Sequence, residues 1–207
     1  MPENIFRYFP NLTDIQKQQL SMLHNIYIRW NSMINIISRK DIDNFNIHHL
    51  LHSMAIGKVI EFTPGTRILD VGTGGGFPGI PLAIMFPDSE FTLLDSIEKK
   101  IKVVSAVADE LNLKNVVPTR KRVEEEKGKY HFIVSRAVTA FPSFVNITSK
   151  NIGKNGNNAL KNGILYLKGG DLAGELADYR DNIVVWNIGD FFSEPFFDTK
   201  RIVYLPV

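Results

Sequence analysis

The spacing of hydrophobic residues predicts that the N-terminal part of the chain is helical. Apolar side chains recur there at intervals of three and four, which is typical of a helix with one buried face. The residues with this spacing are Leu20, Leu23, Ile26, Tyr27, Trp30 and Ile34. Thr13 and Gln16 have the spacing of a capping box, so this helix is expected to begin there. A second helix is predicted over residues 45–60, and Pro64-Gly65 predicts the turn that closes the region.

Beyond this turn, short apolar runs alternate with helical stretches. Such runs predict buried strands when turn signals bound them. The predicted strands cover residues 67–71, 91–95, 116–117, 130–134, 164–167, 183–188 and 201–205, and a helix is predicted over residues 98–111. This alternation implies an α/β fold with a mainly parallel seven-stranded sheet that is covered on both faces. We therefore predict a helical extension over residues 1–63 and an α/β domain over residues 64–207, packed as one compact unit.

Composition narrows the class of protein but does not reveal its chemistry. Of the 207 residues, 44% are hydrophobic and 22% are charged, which suits a globular chain with a sizeable core. The sequence has no apolar run of membrane-spanning length and no secretory signal layout, so we expect a cytoplasmic protein without membrane contact. It has no cysteine, which excludes disulfides, cysteine-ligated zinc and a thiol nucleophile. The net charge of +2 does not by itself indicate a nucleic-acid partner.

The segment after the first predicted strand carries the strongest chemical signal. It reads DVGTGGGFPG from Asp70 to Gly79. Glycines at a strand end let the backbone turn sharply and approach a ligand closely. Gly74, Gly76 and Gly79 also match the G-x-G-x-x-G spacing of dinucleotide sites. The loop alone therefore leaves an NAD-dependent dehydrogenase open.

Two acidic residues favour a different ligand, one that combines adenosine with a positive charge. Asp95 ends the next predicted strand, where a carboxylate can hold both hydroxyls of a ribose. Asp70 precedes the glycines, where it would face a cationic ligand group and would repel a pyrophosphate. Together they predict S-adenosylmethionine. The alternative is a tight turn whose acids only cap helices.

Four longer motifs follow one another along the chain. They read LDVGTGGGFPGIPLAI over residues 69–84, TLLDSIEKKIKVV over 92–104, RVEE over 122–125 and SRA over 135–137. In this order, and with Leu167-Lys168-Gly169 continuing the match, they resemble the RsmG/GidB family of 16S ribosomal RNA guanine-N7 methyltransferases. The N-terminal Trp30-Asn31 and Asn35 are similar to the family's first helix. The chain departs from the family pattern at His52 and Ser32, where the family usually has an Asp and a Lys; both positions lie outside the glycine loop.

The resemblance implies a class I methyltransferase with a Rossmann-like fold. Its expected reaction is the transfer of a methyl group from S-adenosylmethionine to N7 of a guanine in 16S rRNA, either naked or in the 30S subunit. The loop, the acids and the resemblance together predict the cofactor-binding residues Asp70, Gly72, Gly74, Phe77, Asp95, Val123, Glu124 and Arg136. Asp95 would bind the ribose, whereas Val123 and Glu124 would flank the adenine.

The predicted catalytic residues are Arg136 and Lys168, at the mouth of the site. Guanine N7 has an exposed lone pair and requires no general base. This fits a site with no evident base. Methylation of cytosine C5 normally uses a cysteine nucleophile, which the chain lacks, and exocyclic-amine methyltransferases carry an (Asn/Asp)-Pro-Pro-aromatic motif where this chain has Ser135-Arg136. Arg136 would hold the guanine O6 or a phosphate, and Lys168 would contact RNA phosphate. The alternatives are a surface ion pair for Arg136 and a solvated side chain for Lys168.

The remaining features add no further chemistry. His49 and His52 are spaced as metal ligands can be, but no carboxylate or cysteine is evident beside them, so no metal is predicted. Tyr27 and Trp30 are interpreted as core residues, and a monomer is expected. Two other functions stay open: methylation of a small molecule or protein, and a ribosome-assembly factor that binds S-adenosylmethionine without turnover.

Overall fold

The computed structural model of the protein describes residues 3–38, 41–136 and 138–207. Ala137, the last residue of the SRA motif, lies outside these ranges. The chain begins with the short helix α1 (Glu3–Phe6) and the long helix α2 (Asp14–Met33). The predicted capping box of α2 is confirmed, because Gln16 N donates to Thr13 Oγ1 at 3.3 Å and Thr13 N donates to Gln16 Oε1 at 2.8 Å. No helix of the described residues is long and apolar enough to cross a membrane.

The predicted helix over residues 45–60 is helical from residue 46 to residue 58, but it is not a single α-helix. The structure has a 3-10 turn at Ile42–Asn44, a π-helical segment at Asn46–Leu51, the short helix α3 (His52–Met54) and a second 3-10 turn at Ala55–Lys58. Hydrophobic spacing does not distinguish these helix types. π-Helical turns often occur at functional sites, and this one carries side chains of the candidate site described below.

The α/β part contains all seven predicted strands, with shifted bounds. They are β1 (Arg67–Val71), β2 (Glu90–Asp95), β3 (Val116–Arg120), β4 (Phe132–Arg136), β5 (Gly163–Gly169), β6 (Val184–Asn187) and β7 (Lys200–Pro206). Their order in the sheet is β3-β2-β1-β4-β5-β7-β6. Strands β1 to β5 are parallel, and β7 runs antiparallel between β5 and β6. The helices between the strands are α4 (Gly79–Met85), α5 (Glu98–Glu110) and α6 (Phe141–Thr148). The predicted mainly parallel α/β fold is confirmed.

Both faces of the sheet are buried, as the strand β1 shows. Successive strand residues point to opposite faces, and Ile68 and Leu69 accordingly belong to two different hydrophobic clusters. The cluster of Ile68 also contains Leu23 and Tyr27 from α2, so the N-terminal helix packs against one face of the sheet. Tyr27 is buried as predicted, whereas Trp30 is only half-buried. The division of the chain at residues 63 and 64 remains a prediction.

Candidate functional site

A cleft of about 530 Å³ opens at the carboxyl ends of the central strands. Strand β1 lies between β2 and β4, so the chain connections diverge on its two sides. Ligands of open α/β sheets bind at this kind of topological switch point. The cleft volume falls within the range of roughly 300–1,000 Å³ that is usual for small-molecule sites. Five of the predicted site residues line the cleft: Gly72, Asp95, Val123, Glu124 and Arg136.

Gly72 forms the turn at the end of β1 and keeps the cleft open. Its φ is +68°, a conformation that favours glycine. A Cβ at this position would lie 2.6 Å from Cγ2 of Val138, a second residue of the cleft wall. A larger residue would therefore both strain the backbone and fill the space beside the wall.

Asp95 is the buried acidic residue of the cleft, whereas Glu124 is exposed. Its carboxylate is buried at the end of β2 and is fixed by two backbone amides, because Gly74 N donates to Oδ2 at 3.0 Å and Ile97 N donates to Oδ1 at 2.9 Å. Lys100 Nζ lies 3.5 Å from Oδ2. A carboxylate offers about four acceptor sites; the two amides take one on each oxygen and Lys100 lies at the limit of a hydrogen bond, so each oxygen can still accept from a ribose hydroxyl that displaces this long contact. Gly74 does not line the cleft; it acts on the cleft by orienting Asp95.

Asp70 lies beneath the glycine loop and not on the cleft wall. Its carboxylate is fully buried, and Oδ2 accepts hydrogen bonds from Thr73 Oγ1 at 2.6 Å and from Gly79 N at 2.8 Å. This burial raises the pKa of the carboxyl from 3.8 to about 7, although the hydrogen bonds oppose the rise. The geometry therefore does not support the expected direct contact with a ligand cation. It supports a role in holding the two ends of the loop together.

The raised pKa of Asp70 predicts a pH dependence of stability. Between pH 3.8 and about 7 the folded protein holds a proton on this carboxyl that the unfolded chain has lost. This group therefore makes the free energy of unfolding decrease as the pH rises through that window. We expect Asp70→Asn, which cannot ionise, to remove this contribution, so that the variant gains stability relative to the wild type between about pH 4 and pH 8. Denaturant unfolding of both proteins across this window measures the difference, and parallel curves would refute the prediction.

Phe77 is also buried behind the loop. Its ring lies 4.8 Å from the ring of Tyr27 and 5.7 Å from that of Phe45, measured between centroids. The guanidinium carbon of Arg136 lies 5.2 Å from the centroid of the Phe77 ring, a cation–π contact. Phe77 therefore links the loop to the N-terminal helices and seats Arg136, whereas it does not line the cleft.

Arg136 is the last residue of β4 and is half-buried. Its Nη1 donates to the backbone oxygen of His48 at 3.0 Å, and Nη2 lies 3.0 Å from Nδ1 of His49. Burial lowers the pKa of the guanidinium to about 10, so it stays positively charged at neutral pH. The structure therefore does not show the alternative of a surface ion pair: Arg136 is held from inside, by residues of the π-helical segment.

Asp41 completes this arrangement through His49. The carboxylate oxygen Oδ2 lies 2.6 Å from His49 Nε2. Burial lowers the pKa of His49 to about 4, so the ring is neutral at pH 7 and carries one proton. The acceptor Asp41 places that proton on Nε2, which leaves Nδ1 as the acceptor for Arg136. Sequence analysis missed Asp41, because no local pattern relates an acid in a turn to a histidine in the next helical segment.

A second, smaller cavity of about 250 Å³ lies next to the cleft. It is lined by Asp41, the three histidines of the helical segment, Arg136, the residues Leu167 to Gly169, Phe196 and Lys200. Arg136 lines both cavities. Lys168, predicted at the mouth of the site, does line the second cavity, where its ammonium pairs with the carboxylate of Glu175. Its side chain is only 14% exposed, so it is not the solvated lysine of the alternative interpretation.

Within the part of the chain that the structure describes, no three His, Cys, Asp or Glu side chains are grouped so as to hold a metal ion. Two of the three histidines in the second cavity have another partner. His48 and His49 both bond to Asp41, and the ring of His48 stacks on that of Phe196 with centroids 3.9 Å apart.

The residues of the cleft fit S-adenosylmethionine. Asp95 presents a fixed carboxylate at the end of β2, where a ribose binds in this type of sheet. Val123 and Leu94 add apolar wall for a flat purine, and Gly72 leaves room for close approach to the backbone. The cleft therefore combines the two carboxylate oxygens of Asp95, an apolar wall and the turn at Gly72 in one continuous space.

A sheet of this order, with a glycine loop after β1 and an acidic residue ending β2, defines a class I S-adenosylmethionine-dependent methyltransferase. Solved structures share the fold. A SAM-dependent methyltransferase from Aquifex aeolicus superposes with a TM-score of 0.55 at 16% identity, covering 82% of this chain and 98% of that one. A precorrin-6y C5,15-methyltransferase from Geobacter metallireducens has a TM-score of 0.55 at 10% identity, covering 76% and 88%.

The particular family follows from the sequence comparisons. Residues 16–197 match the GidB family, described as rRNA small subunit methyltransferase G. A ribosomal RNA small subunit methyltransferase G from Flavobacterium johnsoniae is 54% identical over 99% of this chain and 98% of its own length. The protein of the same name from Christiangramia forsetii is 55% identical over 99% and 97%. The chain belongs to the GidB family.

Proposed function

We propose that the protein transfers a methyl group from S-adenosylmethionine to N7 of a guanine in 16S ribosomal RNA. The observation that carries this proposal is the position of Arg136, which separates a cleft suited to the cofactor from a cavity that is open to an acceptor. The relatives described above are named for ribosomal RNA of the small subunit, which supports RNA as the acceptor.

The reaction requires little from the protein beyond positioning the cofactor and the acceptor base. S-adenosylmethionine supplies an activated methyl group when it is bound in the cleft. Guanine N7 carries a lone pair and no proton, so no side chain has to remove one. The residues have to hold the acceptor in line and exclude water, which is a large part of catalysis in such direct displacements. Asp95 fixes the cofactor side, and Arg136 holds the acceptor side.

Arg136 is suited to hold the acceptor base because the π-helical segment restrains its guanidinium. The backbone of His48, the neutral ring of His49 and the face of Phe77 hold the guanidinium in one place. An arginine matches guanine O6 in geometry and charge. It would bind O6 and leave N7 free, since gripping both atoms would block the reacting lone pair. Lys168, at the end of β5, would meet a phosphate of the RNA.

The partner is 16S rRNA, naked or assembled in the 30S subunit, and the protein would work as a monomer in the cytoplasm. The test is transfer of a tritiated methyl group to isolated 30S subunits, naked 16S rRNA, 23S rRNA and bulk protein in parallel. We expect label in 16S rRNA, as free RNA or in the subunit, and in no other acceptor. Label in protein alone, or in no macromolecule although the protein binds the cofactor, would overturn the assignment.

A further inference from the structure

The second cavity, lined by the three histidines, Arg136, Phe196 and Lys200, has the chemistry of a nucleotide site. Its aromatic wall is the half-buried ring of Phe196, on which His48 now stacks with an angle of 17° between the ring planes. The ammonium of Lys200 lies 4.7 Å from the centroid of the same ring. Bases stack on aromatic rings and lysines meet phosphates in sites of this kind.

His52 lines this cavity and has a buried polar atom that no other group of the described residues uses. The residue is 6% exposed, and its Nε2 has no hydrogen-bond partner in the protein. Leaving a buried polar atom without a hydrogen-bond partner is energetically unfavourable. A ligand that reaches Nε2 with an N–H group would remove this penalty.

The protonation of His52 decides which kind of ligand atom fits. Burial and the nearby Arg136 lower the pKa of His52 well below 6.5, so its ring is neutral at pH 7. The backbone of His48 raises the pKa of the His52 ring, as an acceptor oxygen does, and because Nε2 has no partner it acts on the other ring nitrogen. A backbone oxygen there requires that this nitrogen carries the proton. Nε2 is therefore an acceptor, and the ligand atom that fits it is a hydrogen-bond donor.

We propose that this cavity binds the acceptor nucleotide and selects guanine: the base takes the place of the His48 ring on Phe196, Arg136 donates to O6, and His52 Nε2 accepts from N1–H. This inference rests on the proposed function and names the residues that would read the base. O6 and N1–H are neighbours on the ring edge of guanine, and Arg136 and His52 both line the cavity. N7 lies on the other side of O6 from N1, so this orientation leaves N7 on the side of Arg136 away from His52.

The same two residues exclude adenine. Adenine has an amino group in place of O6, so its donors would face the donors of Arg136. Its N1 carries a lone pair and no proton, so it would face the lone pair of His52 Nε2. Mismatched polar groups in a buried site give strong discrimination, because each is left unpaired. Lys200, beside Phe196, is placed to meet the phosphate in either case and adds no selectivity.

The test measures binding of free GMP and AMP by saturation-transfer NMR, which detects affinities in the millimolar range. The cleft is first filled with S-adenosylhomocysteine, so that neither nucleotide can bind there. We expect the wild type to bind GMP roughly tenfold more tightly than AMP. His52→Leu should reduce this preference, because GMP loses an acceptor for N1–H and AMP loses a repulsive contact, whereas His52→Gln, whose amide oxygen is an acceptor, should retain most of it.

Phe196→Ala should weaken both nucleotides roughly tenfold or more, because base stacking is sequence-tolerant. Phe196→Tyr keeps the ring and should bind as the wild type does. Trp186→Leu is the matched control: Trp186 is a half-buried aromatic residue on the edge strand β6, outside the cavity. Thermal melting shows whether each variant is folded.

Two outcomes would overturn the inference: equal affinity of the wild type for GMP and AMP, including no binding of either, or an unchanged GMP preference in folded His52→Leu. The methyl-transfer assay distinguishes failure of this inference from failure of the proposed function. If 16S rRNA is methylated but GMP is not preferred, only the inference fails. If GMP is bound selectively through His52 but no RNA is methylated, only the proposed function fails.

Discussion

Replacing Arg136 with alanine is expected to lower the rate of methyl transfer at saturating cofactor by roughly 100-fold or more. Loss of one preorganised donor in an enclosed active site typically has an effect of this size. The affinity for S-adenosylmethionine should fall by less than about tenfold, because the contacts from Asp95 and the apolar wall remain. Single-turnover transfer to 16S rRNA measures the rate, and calorimetry measures the affinity.

Arg136→Lys is the informative companion variant. It keeps the charge, but a single ammonium cannot reproduce the planar fork that meets the backbone of His48 and Nδ1 of His49 at the same time. We expect an intermediate rate. The alanine variant also leaves those two acceptors without their donor, so its melting temperature has to be measured beside its activity. A folded Arg136→Ala protein with the wild-type rate would contradict the role assigned to this residue.

The second large effect is expected at Asp95. Asp95→Ala should weaken the binding of S-adenosylmethionine by roughly 100-fold or more, because each hydrogen bond to a charged group contributes about 1.5–3 kcal/mol and a ribose has two hydroxyls to offer. The substitution also frees the amide of Gly74 and loosens the loop. Isothermal calorimetry with S-adenosylmethionine and with S-adenosylhomocysteine measures both affinities.

Two controls accompany the Asp95 measurement. Asp95→Asn keeps one side-chain oxygen and should bind with intermediate affinity. Asp109→Ala removes an exposed acid from α5, far along the same helical connection, and should bind as the wild type does. If Asp95→Ala binds the cofactor as tightly as Asp109→Ala, the ribose contact is wrong.

The sheet could be predicted from the sequence because its signals are local. Strand β1 is an apolar run that ends at a glycine, and β2 is an apolar run that ends at Asp95. Parallel neighbours place both ends at one edge of the sheet, so the position of Asp95 beside the glycine loop followed from chain order alone. Arg136 could be placed in the same way, since it ends β4 beside β1.

The contacts that refine the site could not be predicted, because they depend on tertiary packing. Nothing near Asp70 in sequence indicates that Thr73 and Gly79 bind its carboxylate beneath the loop. The pairing of Asp41 with His48 and His49 depends on how the preceding turn folds back over the π-helical segment. Phe196 comes from the region before β7 and is separated from the histidines by most of the chain. Spacing rules describe a single helix or strand and do not predict contacts between elements that are distant in sequence.

The most direct test of the account is the identity of the methylated atom. After transfer from labelled S-adenosylmethionine to 16S rRNA, the RNA is digested to nucleosides and the labelled nucleoside is identified by mass spectrometry. The account predicts 7-methylguanosine as the labelled product with the wild type and a loss of that product with Arg136→Ala. Label on an exocyclic amine, on a ribose or on a base other than guanine would contradict it.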